Sequence, residues 1–339
     1  MAIADRGRVT IAAIAAEAGV SVPTVSRVLN GRVDVAPETR TRVEDLLEKH
    51  GYQRRGLGLG TRANLIDLVF NDIDSPWAVE IIRGVEEVAH DAGVGTVVSA
   101  VHNEATSEQR WWQNVQARAS DGIIVVTSHL QPKLQAEVHR YLPTVVIDPS
   151  GNPSFEAPTI GATNWAGGLS ATEHLIELGH RRIGIITGWP RLQCSRARLD
   201  GYRAALEAAG LEFDHDLVYT GDFHHESGFV GGTQFLGLPD RPTAVFASND
   251  SMAFGVYEAA RQRGLRVPSD LSIVGFDDLP EARWASPPLT TVRQPLAEMG
   301  ALAARTVLRL VRGEPMETLR LEMSTKLIVR ESTAPPHMT

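Results

Sequence analysis

The chain has 339 residues, 43% of them hydrophobic, with 33 Lys and Arg against 41 Asp and Glu for a formal net charge of −8. That length predicts two or three domains. The single cysteine, Cys194, excludes an intrachain disulfide and any zinc cluster built from CxxC pairs, and no apolar run approaches the ~18 residues of a membrane span. The first 17 residues also lack the unbroken apolar stretch of a signal peptide, so the expectation is a soluble, unexported, cytoplasmic protein.

Charge is uneven along the chain. Residues 1–62 hold ten Lys and Arg against seven Asp and Glu, net +3, leaving −11 for the remainder. A basic front on an acidic body suits a protein that meets a polyanion at one end.

The front begins with "VTIAAIAAEAGVSVPTVSRVLNGR", residues 9–32. Ile11, Ile14, Ala15 and Ala18 mark one helical face after Thr10, an N-cap residue, and Gly19 supplies a left-handed stop. Ser21 is placed to cap a second helix over about 22–29, with Pro23 in its first turn. In that helix Val25, Val28 and Leu29 fall on one side, leaving Val22, Pro23, Ser26, Arg27 and Asn30 on the other. A third helix starts at Pro37 and points Val43, Leu46 and Leu47 at the first two, with Gly51 as its stop. Three short helices around a Gly turn describe a helix-turn-helix unit. The short donors of Thr10, Ser21, Thr24, Ser26 and Asn30 suit phosphate contacts, and also helix capping.

From Leu65 onward the pattern changes. "LIDLVF", "TVVSAV", "GIIVVT", "TVVIDP", "RIGIITG", "LVYTG", "TAVFAS" and "LSIVGFD" alternate with helical stretches, which predicts parallel sheets covered by helices. The rhythm breaks near residue 162 at "TIGATNWAGG", dividing the body into two similar halves. Ligands in open α/β sheets sit at the carboxyl ends of strands, where two halves face one cleft. Those ends carry Asp74, Ser75 and Trp77; Asp148; Asn164 and Trp165; Arg196 and Arg198; Phe223; Asn249 and Asp250; Asp277 and Asp278; and, farther on, Trp284. Carboxylates, an amide and arginines can bond vicinal hydroxyls while aromatic faces stack on a sugar ring, a mixture suited to a neutral polyol.

The quoted headpiece with "PETRTRV" and "HGY" resembles the LacI/GalR family of bacterial transcriptional regulators. The likeness continues through "DGIIVV", "ATEHLIELGHRRIGIITG", "RARLDGYRAAL", "RPTAVFASND", "GLRVPSDLSIVGFDD" and "PPLTTVRQP", nearly the whole chain. It implies a helical headpiece over 1–52, a linker over 53–63, and a two-lobed periplasmic-binding-protein-like α/β domain over 64–339. The first lobe would comprise 64–162 and 294–325, the second 163–293 and 326–339. The implied partners are a palindromic operator in double-stranded DNA, a sugar-like effector and a second copy of the chain. By family position Val22, Pro23 and Arg27 read bases: Arg27 can donate twice to a guanine edge, and Val22 and Pro23 offer apolar contact to a thymine methyl. Arg198, Asn249 and Asp277 stand foremost among the effector residues, followed by Phe223, Trp165 and Trp77, with Gln294 linking the cleft to a crossover.

The linker departs from the family. Members carry an Ala/Arg/Leu-rich hinge helix that wedges a leucine into the minor groove, whereas "YQRRGLGLGTRAN" is shorter by about four residues and has Gly56, Gly58 and Gly60. Each glycine costs a helix roughly 1 kcal/mol relative to alanine. Leu57 or Leu59 as wedge, with Arg54, Arg55 and Arg62 on the DNA, and a flexible basic linker both remain open.

Rival readings exist. Asp277 with Asp74 or Asp148 can be cast as the acid and base of a glycosidase, but no GxSxG elbow or HExxH motif accompanies them, and the chain does not read as an enzyme. A two-lobed sugar receptor would lack the helix-turn-helix. "GVGT" and "NWAGG" lack a dinucleotide or P-loop pattern, and His224, His225 and Glu226 are consecutive, so neither a cofactor nor a metal is expected. The likeness extends to actinobacterial members sensing plant-derived sugars, which makes a xylose- or glucose-based disaccharide the expected effector, acting as inducer or, with opposite coupling, as corepressor.

Overall fold

In the computed structural model, residues 10–29, 35–50, 63–102, 104–126, 130–149, 157–316 and 318–336 are described. The chain divides into two compact units, Met1–Thr61 and Arg62–Thr339. Among the described residues no single helix is long and apolar enough to cross a membrane.

The first unit contains α1 (Ile11–Ala18), α2 (Val22–Leu29) and α3 (Pro37–Lys49). The Thr10 hydroxyl accepts the Ala13 N–H at 3.3 Å, and Gly19 ends α1 at φ 67°, a left-handed turn that costs glycine no steric strain. Ser21 Oγ accepts the Thr24 N–H at 3.3 Å and so caps α2. The core is small: Ile14, Val25 and Val43 are fully buried, each stabilising by roughly 1.5–3 kcal/mol, with Ala15, Ala18, Val28 and Leu47 around them. Glu17 clasps the end of α3, accepting from Lys49 at 2.9 Å and meeting His50 at 2.6 Å. These two bonds hold its carboxyl below the usual carboxylate range.

The second unit holds two six-stranded sheets. One is built from β1 (Leu65–Phe70), β2 (Gly95–Ala100), β3 (Gly122–Val126), β4 (Thr144–Ile147), β5 (Thr159–Ala162) and β11 (Arg320–Met323), in spatial order β11-β5-β4-β3-β1-β2. The other contains β6 (Ile183–Thr187), β7 (Val218–Thr220), β8 (Ala244–Ala247), β9 (Ser272–Asp277), β10 (Thr290–Arg293) and β12 (Lys326–Ile328), ordered β12-β10-β9-β8-β6-β7. All pairings are parallel except β10 with β12. Central strands β3, β8 and β9 are buried along their whole length, as expected where helices cover both faces.

Helices α4 (Pro76–Asp91) and α12 (Leu296–Val311) cover one face of the first sheet, and α5 (Ala105–Arg118) and α6 (Pro132–Tyr141) supply core residues to the other. In the second sheet α7 (Asn164–Glu177) and α8 (Gln193–Ala208) lie opposite α9 (His225–Leu236) and α10 (Asp250–Gln262). A short α11 (Pro280–Trp284) follows β9. The apolar stripe of α4 packs inward through Ala78, Ile81, Val85 and Ala89, leaving Val79 exposed. Trp111 and Trp112 are both buried in the first-sheet core.

The chain passes between the sheets after β5, after β10 and after β11. Two passages are tied together: Thr163 and Thr325 share a hydroxyl–hydroxyl bond of 3.0 Å, and Thr325 N–H donates to Thr163 Oγ1 at 2.9 Å. Four strands, β5, β10, β11 and β12, lack the long apolar run that announced the others. "TIGA", read as a break in rhythm, is itself β5. "TTVR" is β10 and pairs within the second sheet before the chain crosses. Strands of three or four residues take their identity from neighbours rather than from pattern.

Candidate functional site

The headpiece presents one face of α2. Val25 and Val28 turn into the core, which leaves Val22, 45% exposed, together with exposed Pro23 and Arg27 on the outer side. Thr10 and Ser21 are exposed and engaged in capping, and Ser21 also bonds the half-buried Thr24 hydroxyl at 2.9 Å. Ser26 is half-buried. Asn30, Gly51 and the linker candidates Arg54, Arg55, Leu57, Leu59 and Arg62 lie outside the described residues.

In the second unit the centre of the candidate site is Arg198, which is 97% buried although arginine ordinarily stays at the surface. Helix packing puts it there. A methyl group at Gly168 of α7 would fall 2.4 Å from the Arg198 carbonyl oxygen, and one at Gly201 of α8 would fall 2.2 Å from that of Trp165. Two glycines thus let α7 and α8 touch backbone to backbone, fixing Arg198 and Trp165 together. The guanidinium donates from Nε to Asn164 Oδ1 at 2.9 Å and from Nη1 to the Ser248 carbonyl at 2.6 Å. It lies 3.8 Å over the Phe276 ring and 5.8 Å from the Phe223 ring, within cation–π range. The ion pairs that a surface helix would offer Arg198, with Asp200 or Glu207, are not made; Asp200 faces Arg203 at 3.6 Å.

Asp148 and Asp277 share this positive charge. Burial pushes both carboxyls above the usual range, against the lowering pull of Arg198 on each. Gln294 Nε2 donates to Asp277 Oδ1 at 2.6 Å, so the residue after β10, where the chain crosses between sheets, touches the cluster directly. Asp250, fully buried, accepts from Thr291 at 2.5 Å and from the Leu279 N–H at 2.8 Å; burial and then the Asp277 charge raise its carboxyl too. Asn249 caps α10 by accepting the Met252 N–H at 2.9 Å and donates to the Phe223 carbonyl at 2.8 Å. Asp278 is bound by Arg293 at 2.7 Å and by Arg330, which makes it a structural pin.

Backbone strain gathers at the same place. Asp148 (φ 47°), Phe223 (φ 72°), Asp277 (φ 118°) and Asp278 (φ 58°) all occupy the left-handed side that non-glycine residues avoid, at the ends of strands or the loops that follow. Two buried oxygens, Ser248 Oγ and Gln294 Oε1, have no protein hydrogen-bond partner, and such groups are costly unless a ligand or water meets them.

Beside the Arg198 cluster lies a cavity of about 370 Å³, reached by Asp148, Asn164, Trp165 and Cys194. Burial and the nearby Asp148 push the Cys194 thiol up to about 12, so it stays protonated. Asp74, Trp77, Arg196 and Trp284 take no part in the cluster's hydrogen bonds. Asp74 is exposed in the loop before α4, where Ser75 caps the helix, and Trp77 packs on the first-sheet core. Arg196 donates to the carbonyls of Pro190 and Arg191, each at 2.9 Å, and Trp284 is 75% exposed at the end of α11. Sequence reasoning treated Cys194 only as a redox marker and passed over Ser248. The first has a usable signal, since Cys194 and Arg198 are one helical turn apart; the second is an uninformative Ser beside Asn249.

Comparison with known proteins agrees with both units. Residues 10–55 match the family described as bacterial regulatory proteins, lacI family, and residues 172–333 match a periplasmic binding protein-like domain. The HTH-type transcriptional repressor CytR of Escherichia coli K12 is 35% identical over 327 residues, covering 96% of each chain. The solved CelR–cellobiose complex of a transcriptional regulator is 35% identical, with TM-score 0.74, covering 96% of this chain and all of that one. The lac repressor dimer bound to operator and the anti-inducer ONPF is 27% identical, with TM-score 0.72, covering 97% of this chain and all of that one. Those relatives are transcriptional regulators rather than enzymes, and this chain belongs with them to the LacI family of bacterial DNA-binding transcriptional regulators.

Proposed function

We propose that the protein is a cytoplasmic homodimeric repressor of carbohydrate-utilisation genes that leaves a palindromic operator when a neutral sugar enters the cleft. In this reading Arg27 donates to a guanine edge, Val22 and Pro23 pack on thymine methyls, and Thr10, Ser21, Thr24 and Ser26 meet phosphates. The observation that carries the effector half is the buried Arg198, flanked by Asp148 and Asp277 and by the unpartnered oxygens of Ser248 and Gln294. Sugar hydroxyls both donate and accept, so one polyol can satisfy the carboxylates, the guanidinium and the orphaned oxygens at once, with Phe223 against a ring face. The cellobiose bound by one structural neighbour supports a sugar as the ligand class.

Release needs a ligand that binds one arrangement of the sheets better than another. Gln294 gives that preference a route. It bonds Asp277 in the second sheet and sits at the start of the passage into α12, which packs on the first. Fluorescence anisotropy of a labelled palindrome from upstream of the gene, titrated with protein and then with a sugar panel at fixed salt, tests the reading. Tight binding over random DNA, reversed by a sugar, supports it; absence of any preference over random DNA contradicts it.

A further inference from the structure

We propose that Thr163 and Thr325 are positioning residues for the sugar response: their hydroxyls latch two of the three passages between the sheets, so that these turn as one and a change at the Arg198 cluster reaches the first sheet. This rests on the sugar-responsive reading above.

The latch arises where a parallel ladder runs out. Strands β5 and β11 pair as far as Ala162 with Met323, and Thr163 N–H adds one bond more, to the Met323 carbonyl at 3.0 Å. In an even parallel ladder the next bond would run from Thr325 N–H to the Thr163 carbonyl. That carbonyl instead opens α7 by accepting the Gly167 N–H at 3.0 Å, and the Thr163 hydroxyl takes the Thr325 N–H at 2.9 Å. Thr325 Oγ1 donates to the Thr163 carbonyl at 3.2 Å and lies 3.0 Å from Thr163 Oγ1. A carbonyl only accepts, which uses the single Thr325 hydroxyl proton and leaves Thr163 as the donor between the two hydroxyls. The result is a closed ring of bonds that joins the passage after β5 to the passage after β11.

Two observations mark this ring as more than a turn. Thr163 is the N-cap of α7, where a threonine hydroxyl ordinarily accepts a first-turn N–H, yet it makes no capping bond and is turned to the other passage instead. The ring also reaches the site. A methyl group at Gly167 would fall 3.1 Å from Thr325 Oγ1 and 2.6 Å from Phe276 Cε2, so this turn of α7 packs on the latch and on Phe276 together, and Arg198 lies 3.8 Å over the same Phe276 ring. Asn164, next to Thr163, accepts from Arg198 at 2.9 Å, and the third passage starts at Gln294, bonded to Asp277. A hinge of several strands delivers one motion only when the strands move together. Freed from each other, the passages admit intermediate arrangements that the sugar does not select.

Operator anisotropy with and without saturating sugar, cellobiose first and then the rest of the sugar panel, gives the coupling factor of the full-length protein. The same titrations are made on Thr163→Val, Thr325→Val, the double variant, Thr163→Ser and Thr325→Ser. Each valine should reduce the factor about threefold or more, out of the roughly 5- to 150-fold usual between coupled sites. The double variant should lose no more than the worse single one, because either change opens the same ring. Both serines keep the hydroxyl and should keep the factor. A loss of stability alone does not move it, since it is a ratio of affinities of the folded protein. Unchanged factors in the valine variants, additive losses, or an equal loss with serine would each overturn the latch and leave the sugar-responsive reading standing. Loss of sugar binding itself in a valine variant would also overturn the latch, by making that threonine a support of the sugar site. If no sugar changes the operator affinity of the unchanged protein, the reading fails and the latch with it.

Discussion

Gly168 and Arg198 meet backbone to backbone, so closely that a methyl group on the glycine would stand 2.4 Å from the arginine carbonyl oxygen. The contact places a charged side chain in the interior by a packing requirement rather than by charge. Gly168→Ala must push α7 from α8. Overpacking of this kind costs typically 1–3 kcal/mol, which for a domain of this size lowers the unfolding midpoint by roughly 2–4 °C per kcal/mol. Thermal unfolding followed by circular dichroism checks this, and sugar response should fall in the same variant because Arg198 shifts with its helix. An unchanged midpoint would mean that the helices separate freely.

Arg198 offsets two carboxyls, the buried Asp277 and the half-buried Asp148. Arg198→Met keeps the length of the side chain and removes the charge, leaving Asp148 and Asp277 facing each other across the site. Sugar response should vanish while operator binding without sugar persists, because no headpiece contact changes. The variant should also lose more stability at pH 8 than at pH 5, where protonation of the carboxyls relieves the missing charge. Operator binding and melting curves at the two pH values provide the check.

Asp277 gives a pH dependence of defined sign. Its folded value lies above the ordinary 3.8, chiefly through burial, so the folded protein holds a proton that the unfolded chain releases. Its contribution to stability is present in acid and is lost as pH rises from about 4 through the raised value. His174 and His180 act oppositely below their ordinary 6.5, since burial lowers both, and the informative quantity is therefore a difference. Asp277→Asn, which still accepts from Gln294, should gain stability over the parent at pH 8 and little at pH 4. A gain independent of pH would contradict the assignment.

The fold was largely legible in the sequence because the central strands are continuous apolar runs and the headpiece carries its own punctuation in Thr10, Gly19 and Ser21. The edges were not. β11 and β12 are too short to carry an apolar run, and they exist because Thr159 and Val292 offer backbone partners more than 150 and about 35 residues away. The site divided in the same way. Asp277 and Gln294 stand at strand ends where ligands are expected and Arg198 in the second turn of α8, but Asp74 and Trp284 share that kind of position without joining the cluster's hydrogen bonds. What separates them is helix contact through Gly168 and Gly201, a tertiary fact with no local pattern.

On the DNA side, Arg27→Ala should weaken operator binding by roughly 1–3 kcal/mol, about 5- to 150-fold, and relax preference at one base pair of each half-site. Val25→Ala, on the buried side of the same helix, should instead lower headpiece stability. Anisotropy against operators mutated singly at each position distinguishes the two; equal loss on every sequence for Arg27→Ala would make it a phosphate contact.

The central claim is a coupling between sugar and operator, and coupling in binding is reciprocal. The most direct measurement is sugar affinity of the full-length protein by calorimetry, free and saturated with operator. The account predicts weaker sugar binding on the operator by the same factor by which saturating sugar weakens operator binding. Equal sugar affinity in the two states would contradict it.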